Sequence, residues 1–313
     1  MKRRLILAGG GGFLGQGLAS YFQERGFEII ILTRSPDKGS ARHSIWDARR
    51  SGAWMHELEG ASAVINLTGK TVNCRYNARN RREILDSRVD STRVIGEAIR
   101  RCAKPPLVWL NASTATIYKH TFGKAWDENG VIGATPEAKD AFSIEVATGW
   151  ERAFDEADTP ETRKVAMRMA MVLGSGKNSV FPVLRRLTRI GLAGKMGSGR
   201  QYVSWIHELD FCRAVEWLLT HDELSGSVNV ASPNPVSNEE MMRTLRSVCG
   251  VGIGLPAANW MLEVGAFALR TETELLIKSR RVTPRRLIES GFEFRLPTIR
   301  GAFENLCARE WWT

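Results

Sequence analysis

The stretch "AGGGGFLG" carries the plainest chemistry in the chain. Gly9, Gly12 and Gly15 recur every third residue between an apolar run and an amphipathic one. The first glycine permits a tight turn, the second lets the backbone approach a pyrophosphate, and the third lets a helix pack close to a strand. The amides of Phe13, Leu14 and Gly15 open that helix, free to meet phosphate oxygens. Glycine spacing alone is a weak signal, but here a strand, a turn, a helix and a second strand follow in the order such a site needs. The end of the second strand, "LTRSPDK", selects the nucleotide. Where an NAD site places Asp or Glu for the ribose 2′-hydroxyl, this chain has Thr33, Arg34 and Ser35. Arg34 can form charge-assisted bonds to a 2′-phosphate and stack on adenine, and Lys38 is close enough in sequence to help, so NADP is the expected cofactor.

The elements that must position this turn are legible on either side of it. Residues 4–9, "RLILAG", and 27–34, "FEIIILTR", are near-continuous apolar runs, the pattern of parallel strands covered on both faces. The helix between them carries Phe13, Leu14, Leu18, Tyr21 and Phe22 on one side and stops at Gly26. Strands at 61–69, 106–114 and 162–174 alternate with helices at 80–103 and 141–151. This predicts an α/β fold with a doubly wound parallel Rossmann sheet. After Gly174 the texture changes. "GLAGKMGSGRQ" (191–201) is too long and glycine-rich for a simple turn, "YVSWIHELDFCRAVEWLL" passes from strand to helix, and prolines punctuate short helical segments from Pro233 onward. The expected division is a cofactor domain from 1–174 and 202–232, with a smaller, mostly helical substrate domain from 175–201 and 233–313.

Composition narrows the partners. A chain of 313 residues suits two unequal domains, and 43% hydrophobic with 25% charged residues is ordinary for a soluble globular protein. The five cysteines and five histidines are scattered with no metal-ligand spacing. The expectation is therefore reduced thiols, a cytoplasmic location and no metal. The net charge of +10 comes from basic pairs and triplets without interleaved aromatics, which favours an anion-binding cleft over a nucleic-acid surface. The longest apolar stretch, 255–269, is broken by Asn259 and Glu263 and falls short of the roughly 20 residues of a membrane span. A small-molecule substrate is expected, with neither nucleic acid nor membrane as partner, on a monomer or homodimer.

The glycine turn, together with "INLTG" (65–69), "STATIY" (113–118) and "YVSWIHELD" (202–210), resembles the extended short-chain dehydrogenase/reductase superfamily. "WD" (46–47), "SRVDST" (87–92), "GWE" (149–151), "KMGSGRQYVSWIH" (195–207) and "RVTPRRLIESGFEF" (281–294) resemble one branch of it. That branch is named for nucleoside-diphosphate-sugar epimerases and carries a small C-terminal domain of unknown function. The resemblance implies further cofactor contacts at Asp47, Leu67, Thr68 and Gly69. It makes Thr114, with Ser113 beside it, the hydroxyl that bonds the reacting oxygen. It also makes 185–200 a cover over the substrate, in which Lys195 and Arg200, with the adjoining Gln201, could hold a phosphate or carboxylate.

The same resemblance predicts a tyrosine and, four residues on, a lysine on the 141–151 helix. Phe142 and Val146 stand there instead, and both are expected to face the cofactor. Tyr118 is the phenol offered in their place, against its alternative as a packing aromatic at the sheet edge. Lys119 and His120 read as solvated loop residues, and His207 as a structural histidine at the domain seam. Two functions stay open. One is an NADP-dependent epimerase or oxidoreductase acting on a carbonyl or hydroxyl of a nucleotide-sugar-like or other anionic small molecule. The other is an NADP-binding regulatory or redox-sensing protein without turnover.

Overall fold

The central strands divide their side chains between two cores. A computed structural model describes residues 3–35, 41–176, 178–258 and 274–308. In chain order its elements are β1 (Arg4–Ala8), α1 (Phe13–Gln23), β2 (Glu28–Thr33), β3 (Arg42–Ile45), β4 (Ala63–Asn66), α2 (Ala78–Arg100), β5 (Val108–Thr114), α3 (Ala141–Asp155) and β6 (Arg163–Met169). There follow β7 (Met171–Leu173), α4 (Val180–Arg189), β8 (Tyr202–Val203), β9 (Trp205–His207), α5 (Glu208–Thr220), β10 (Gly226–Val230), β11 (Val236–Ser237) and α6 (Asn238–Val248), then helices at Glu274–Ile277, Arg285–Glu289 and Ile299–Ala308.

Leu5 and Leu7 of β1, with Ile29 and Ile31 of β2, face the core covered by α1 and α5. Ile6, Ala8, Ile30 and Leu32 face the core covered by α2 and Phe154 of α3. Strands buried on both sides have no polar face to show, which is why their sequences are almost unbroken apolar runs. The seven strands run parallel in the order β10-β6-β5-β4-β1-β2-β3. The chain builds outward from β1 through β2 to β3, then returns to place β4 on the other side of β1. That reversal leaves a crevice at the carboxyl ends of β1 and β4, where ligands of open α/β sheets bind.

Three features depart from the sequence expectations, the first being β10, a sheet strand with no counterpart among the expected ones. β3 was not anticipated: it is a short edge strand with no fully buried residue, and Arg42 stands on it exposed. The single strand expected over 162–174 breaks at Ala170. Its first part pairs with β5 and β10, while Met171–Leu173 pairs with β9 in a separate two-stranded sheet. The cause is a change of hydrogen-bond partner. The Ala170 amide donates to the Val230 carbonyl, and the next amide, Met171, donates to Ser204.

A third core gathers Phe181 and Leu184 of α4, Trp205, Met241, Met242 and Leu245 of α6, and Ile299, Phe303 and Leu306 of the last helix. The C-terminal part also packs against the first core, through Leu287 and Phe292.

The glycine turn sets how closely α1 approaches β1. A Cβ on Gly15 would lie 2.4 Å from the Gly10 backbone, whereas one on Gly17, exposed two residues later, would meet nothing within 4 Å. Gly15→Ala is therefore expected to lower stability by about 1–3 kcal/mol through overpacking. Gly17→Ala should raise it by about 0.4–1 kcal/mol by restricting the unfolded chain. Urea unfolding of the two variants checks the pair; equal responses would mean that close approach is not the constraint.

Candidate functional site

The crevice holds two adjoining cavities. The larger, about 430 Å³, is bounded by Gly9, Gly12, Phe13, Leu14 and Gly15 on one side and Asn178 to Val180 on the other. The second, about 300 Å³, runs on past Thr68, Ser113 and Thr114 to Phe142, Val146 and Trp150. Leu14, Leu67, Gly69, Met169 and Ala170 line both, so the two form one cleft. Met169 and Ala170 stand at the break between β6 and β7, so the departure of the chain from the large sheet shapes this cleft.

The glycine end fits a dinucleotide. Gly9 adopts φ +73°, and a Cβ there would stand 2.8 Å from Thr68 Oγ1. Gly12 is the N-cap of α1 and supplies no side chain to the first-turn amides, and that turn carries no acidic residue to repel phosphate. Thr68 Oγ1 is buried without a hydrogen-bond partner, although a polar group so placed ordinarily has one. Asn66 Oδ1 accepts from the Thr68 amide at 3.1 Å and fixes the turn that carries Leu67, Thr68 and Gly69.

Arg34 and Ser35 are exposed beyond the end of β2, where Thr33 Oγ1 bonds with Ser35. Thr33 flanks the glycine turn at Gly11, but these three residues lie outside the linings of both cavities. Lys38 lies outside the described residues. Asp47 is also outside both linings. Its carboxylate accepts from the Arg49 and Arg50 amides at 2.9 and 2.8 Å, which holds it below the usual carboxylate range.

Thr114 and Ser113 line the second cavity, with Phe142 and Val146 forming part of its opposite wall. Behind Ser113 lies a buried polar chain that the sequence did not suggest. The Ser113 hydroxyl donates to Glu151 Oε1 at 2.6 Å, and Arg168 grips both Glu151 oxygens at 2.8 and 2.7 Å. Arg168 also donates to the Tyr118 hydroxyl at 2.9 Å, which in turn donates to Asn229 Oδ1 at 2.8 Å.

Tyr118 as an acid/base is accordingly corrected. The residue is 2% exposed, lines neither cavity and has its hydroxyl engaged on both sides. Burial pushes its pKa up to about 12. His120 is also not a plain solvated residue: its Nδ1 accepts the Ser279 amide at 2.9 Å. His207 is fully buried and caps α5 by accepting the Leu209 amide.

The glycine-rich loop does not bring its predicted residues to the cleft. Lys195 and Arg200 are exposed, and Arg200 lies over the Phe122 ring. Gln201 is buried and donates to the Met196 carbonyl, so its amide holds the loop together. The cleft instead recruits Tyr76 and Arg88, which sequence reasoning missed. Arg88 had a signal: it follows Ile84 by one turn on the buried stripe that continues through Ser91 and Ile95. Tyr76 precedes α2 in a loop with no pattern to mark it.

A doubly wound parallel sheet with a glycine cradle at its switch point defines an α/β protein of the Rossmann type. The chain belongs to the NAD dependent epimerase/dehydratase family, whose pattern matches residues 5–231, and the domain of unknown function DUF1731 matches residues 257–306. It is 29% identical over 311 residues to the epimerase family protein SDR39U1 of Mus musculus, across 97% of this chain and 100% of that protein. A crystal structure of human SDR39U1 (isoform 2) with NADPH aligns with a TM-score of 0.85 and 25% identity, over 97% of this chain and 99% of that one. The UDP-N-acetylglucosamine 4-epimerase of Bacillus cereus shares the fold at a TM-score of 0.78 and 18% identity, over 100% and 98% of the two chains.

Removing one partner of a buried ion pair strands the other charge. Arg168→Met is expected to cost about 3–5 kcal/mol in denaturant unfolding. Arg79→Ala, which breaks an exposed pair with Glu83 one helical turn away, should leave the unfolding midpoint nearly unchanged. A small loss in Arg168→Met would show that the Glu151–Arg168 pair does not hold the floor of the site.

Proposed function

We propose that this chain is an NADP-dependent oxidoreductase or epimerase acting on a carbonyl or hydroxyl carbon of an anionic small molecule, of which nucleotide sugars are one class. The observation that carries the reading is the continuity of the cleft. It joins a glycine cradle shaped for a pyrophosphate to a second chamber that holds Thr114. The relative crystallised with NADPH supports the choice of cofactor. In this reading 1–174 and 202–232 hold the cofactor, and 175–201 with 233–313 cover the substrate.

Gly9, Gly12, Gly15 and the first-turn amides of α1 hold the pyrophosphate, and Arg34, with Thr33 and Ser35, takes the 2′-phosphate. Thr68 offers its unpartnered hydroxyl to the nicotinamide half, beside Leu67 and Gly69. A nicotinamide bound there supplies or accepts a hydride. Thr114 donates to the reacting oxygen, while Ser113, held by Glu151, keeps the end of β5 in place. Phe142, Val146 and Trp150 form an apolar wall that excludes water from the reacting carbon.

The second reading, a cofactor-binding protein without turnover, draws support from Phe142 and Val146, which can neither exchange a proton nor carry charge. Incubating the protein and NADPH with a panel of carbonyl compounds and sugar nucleotides separates the two readings. Oxidation of the cofactor, or epimerised product, supports the enzyme, and Thr114→Val should then cut turnover. A protein that binds NADPH yet converts nothing supports the binding reading.

Cofactor preference is a separate measurement. By calorimetry NADPH should bind more tightly than NADH by roughly ten- to a hundredfold, the worth of one charge-assisted phosphate contact. Arg34→Ala should erase most of that ratio. Equal affinities for both cofactors in the unaltered chain would remove the NADP assignment.

A further inference from the structure

The second cavity lacks the family's tyrosine and lysine on α3, yet a phenol and a cation both reach it from other elements. Of the chain's four tyrosines, Tyr76 is the one that lines the cavity. Its ring stands edge-on to Phe142, with centroids 4.9 Å apart and planes at 68°. It therefore abuts the ring found where the family's own tyrosine is expected. Arg81 Nε donates to the Tyr76 carbonyl at 2.9 Å, and the Arg81 guanidinium lies 4.6 Å from the centre of the Phe142 ring. Together these tie the loop before α2 to the start of α3.

The cation is Arg88. Its guanidinium lies 5.1 Å from the centre of the Trp150 ring, one turn along α3 from Val146. It donates to the carbonyls of Lys70 and Ile84 at 3.1 and 3.0 Å, and no carboxylate pairs with it among the described residues. Gly69 leaves room for it: a Cβ there would stand 3.0 Å from Arg88 Cζ. Burial lowers the Arg88 pKa to about 10, and Tyr76 lies within electrostatic reach of it. Arg88 is half-buried on the cavity wall, and charges with perturbed pKa values and no counter-ion cluster at sites of chemistry.

We propose that Tyr76 is the residue that exchanges the proton with the reacting oxygen, and that Arg88 is the positioning charge beside it, a pair supplied by α2 and the loop before it, next to α3. This rests on the hydride-transfer reading above. In the reducing direction the carbonyl carbon gains a hydride from the reduced nicotinamide, leaving the cofactor oxidised. The C=O π pair moves to oxygen, which takes the Tyr76 proton. The phenolate that remains is stabilised by Arg88 until water returns a proton to it. Oxidation runs the same steps backwards. Among the described residues, the charged groups near Tyr76 include Arg81 and Arg88 from α2 and, from the C-terminal segment, Arg280, which donates to Thr116 Oγ1 and lies near Glu274 and Asp140. A cation beside a phenol favours its ionised form.

Two measurements test the pair, one of which needs no turnover. Ultraviolet titration of the tyrosinate band, unaltered protein minus Tyr76→Phe, isolates the ionisation of Tyr76. The same difference taken between Arg88→Gln and Arg88→Gln/Tyr76→Phe should show it ionising about one pH unit higher or more, because a neighbouring positive charge is gone. In the turnover assay Tyr76→Phe should lose about 10²–10⁴ in kcat with NADPH affinity unchanged. Arg88→Lys should retain more of the activity than Arg88→Gln. A titration that does not move on loss of Arg88, or a Tyr76→Phe variant as active as the unaltered chain, overturns the proposal. A chain that binds NADPH but turns over no substrate overturns the hydride-transfer reading itself, and the catalytic role of Tyr76 falls with it.

Discussion

The site depends on one buried amide. Asn66, at the end of β4, accepts the Thr68 amide and donates to Asn111 Oδ1 at 2.8 Å on the neighbouring strand. Asn111 Oδ1 also accepts from Thr92 of α2, whose hydroxyl receives the indole N–H of Trp150 on α3 at 3.1 Å. Two strands and two helices, the walls of the second cavity, thus meet through one set of side-chain hydrogen bonds. Asn66, Thr92 and Asn111 are at most 1% exposed, so an amide left unpaired there would forfeit its water without compensation. The geometry of the Leu67–Gly69 turn, and with it the space beneath Gly9, follows from satisfying Asn66.

What the sequence reveals here, and what it hides, follows from how many partners an element needs. β1, β2, β4 and β5 announce themselves because both faces of each are buried, and the glycine turn because Gly9 and Gly15 allow contacts no other residue could. β3 is an edge strand whose pattern carries no burial signal. The break at Ala170 is hidden for the opposite reason: both halves of 162–174 are apolar, and only the exchange of Val230 for Ser204 as hydrogen-bond partner separates them. For Tyr118 the packing reading is the one the structure favours over the acid/base one. The turn at Ala115–Ile117 carries its ring into a small core with Ala147 and Val282, and its hydroxyl to Arg168, 50 residues away.

The C-terminal segment completes the site by a route no local pattern could show. Lys278, fully buried, pairs with Asp140 at the start of α3 and donates to the Thr116 carbonyl at 2.6 Å. Ser279 donates through its hydroxyl to the Thr121 carbonyl, and Arg280 donates to the Thr116 hydroxyl. These contacts tie the segment that follows β5 to residues some 160 positions later. Thr116, and Ser143 through a side-chain hydrogen bond with Glu274, both on the cavity wall, are therefore held partly from the far end of the chain. Burial draws the Lys278 pKa down while Asp140 opposes the fall, so the pair is kept by mutual need rather than by solvent.

Phe142, Val146 and Trp150 of α3 form an apolar part of the cavity wall, and this has an electrostatic consequence. A lysine at position 146 would stand one turn from Trp150, over which Arg88 already lies, so the site would hold two neighbouring cations. Like charges in a low-dielectric cleft repel strongly, and a flexible ammonium is less able than a planar guanidinium to lie on an indole face. Once α2 supplies Arg88, Val146 is the compatible neighbour. Phe142 follows by the same logic: its ring packs against Tyr76 and beneath Arg81, contacts to which a hydroxyl at its tip would add a polar group needing its own partner. The apolar Phe142 and Val146 of α3 and the presence of Tyr76, Arg81 and Arg88 against that helix are thus two sides of one packing solution, in which the cavity's charge and phenol come from the α2 side.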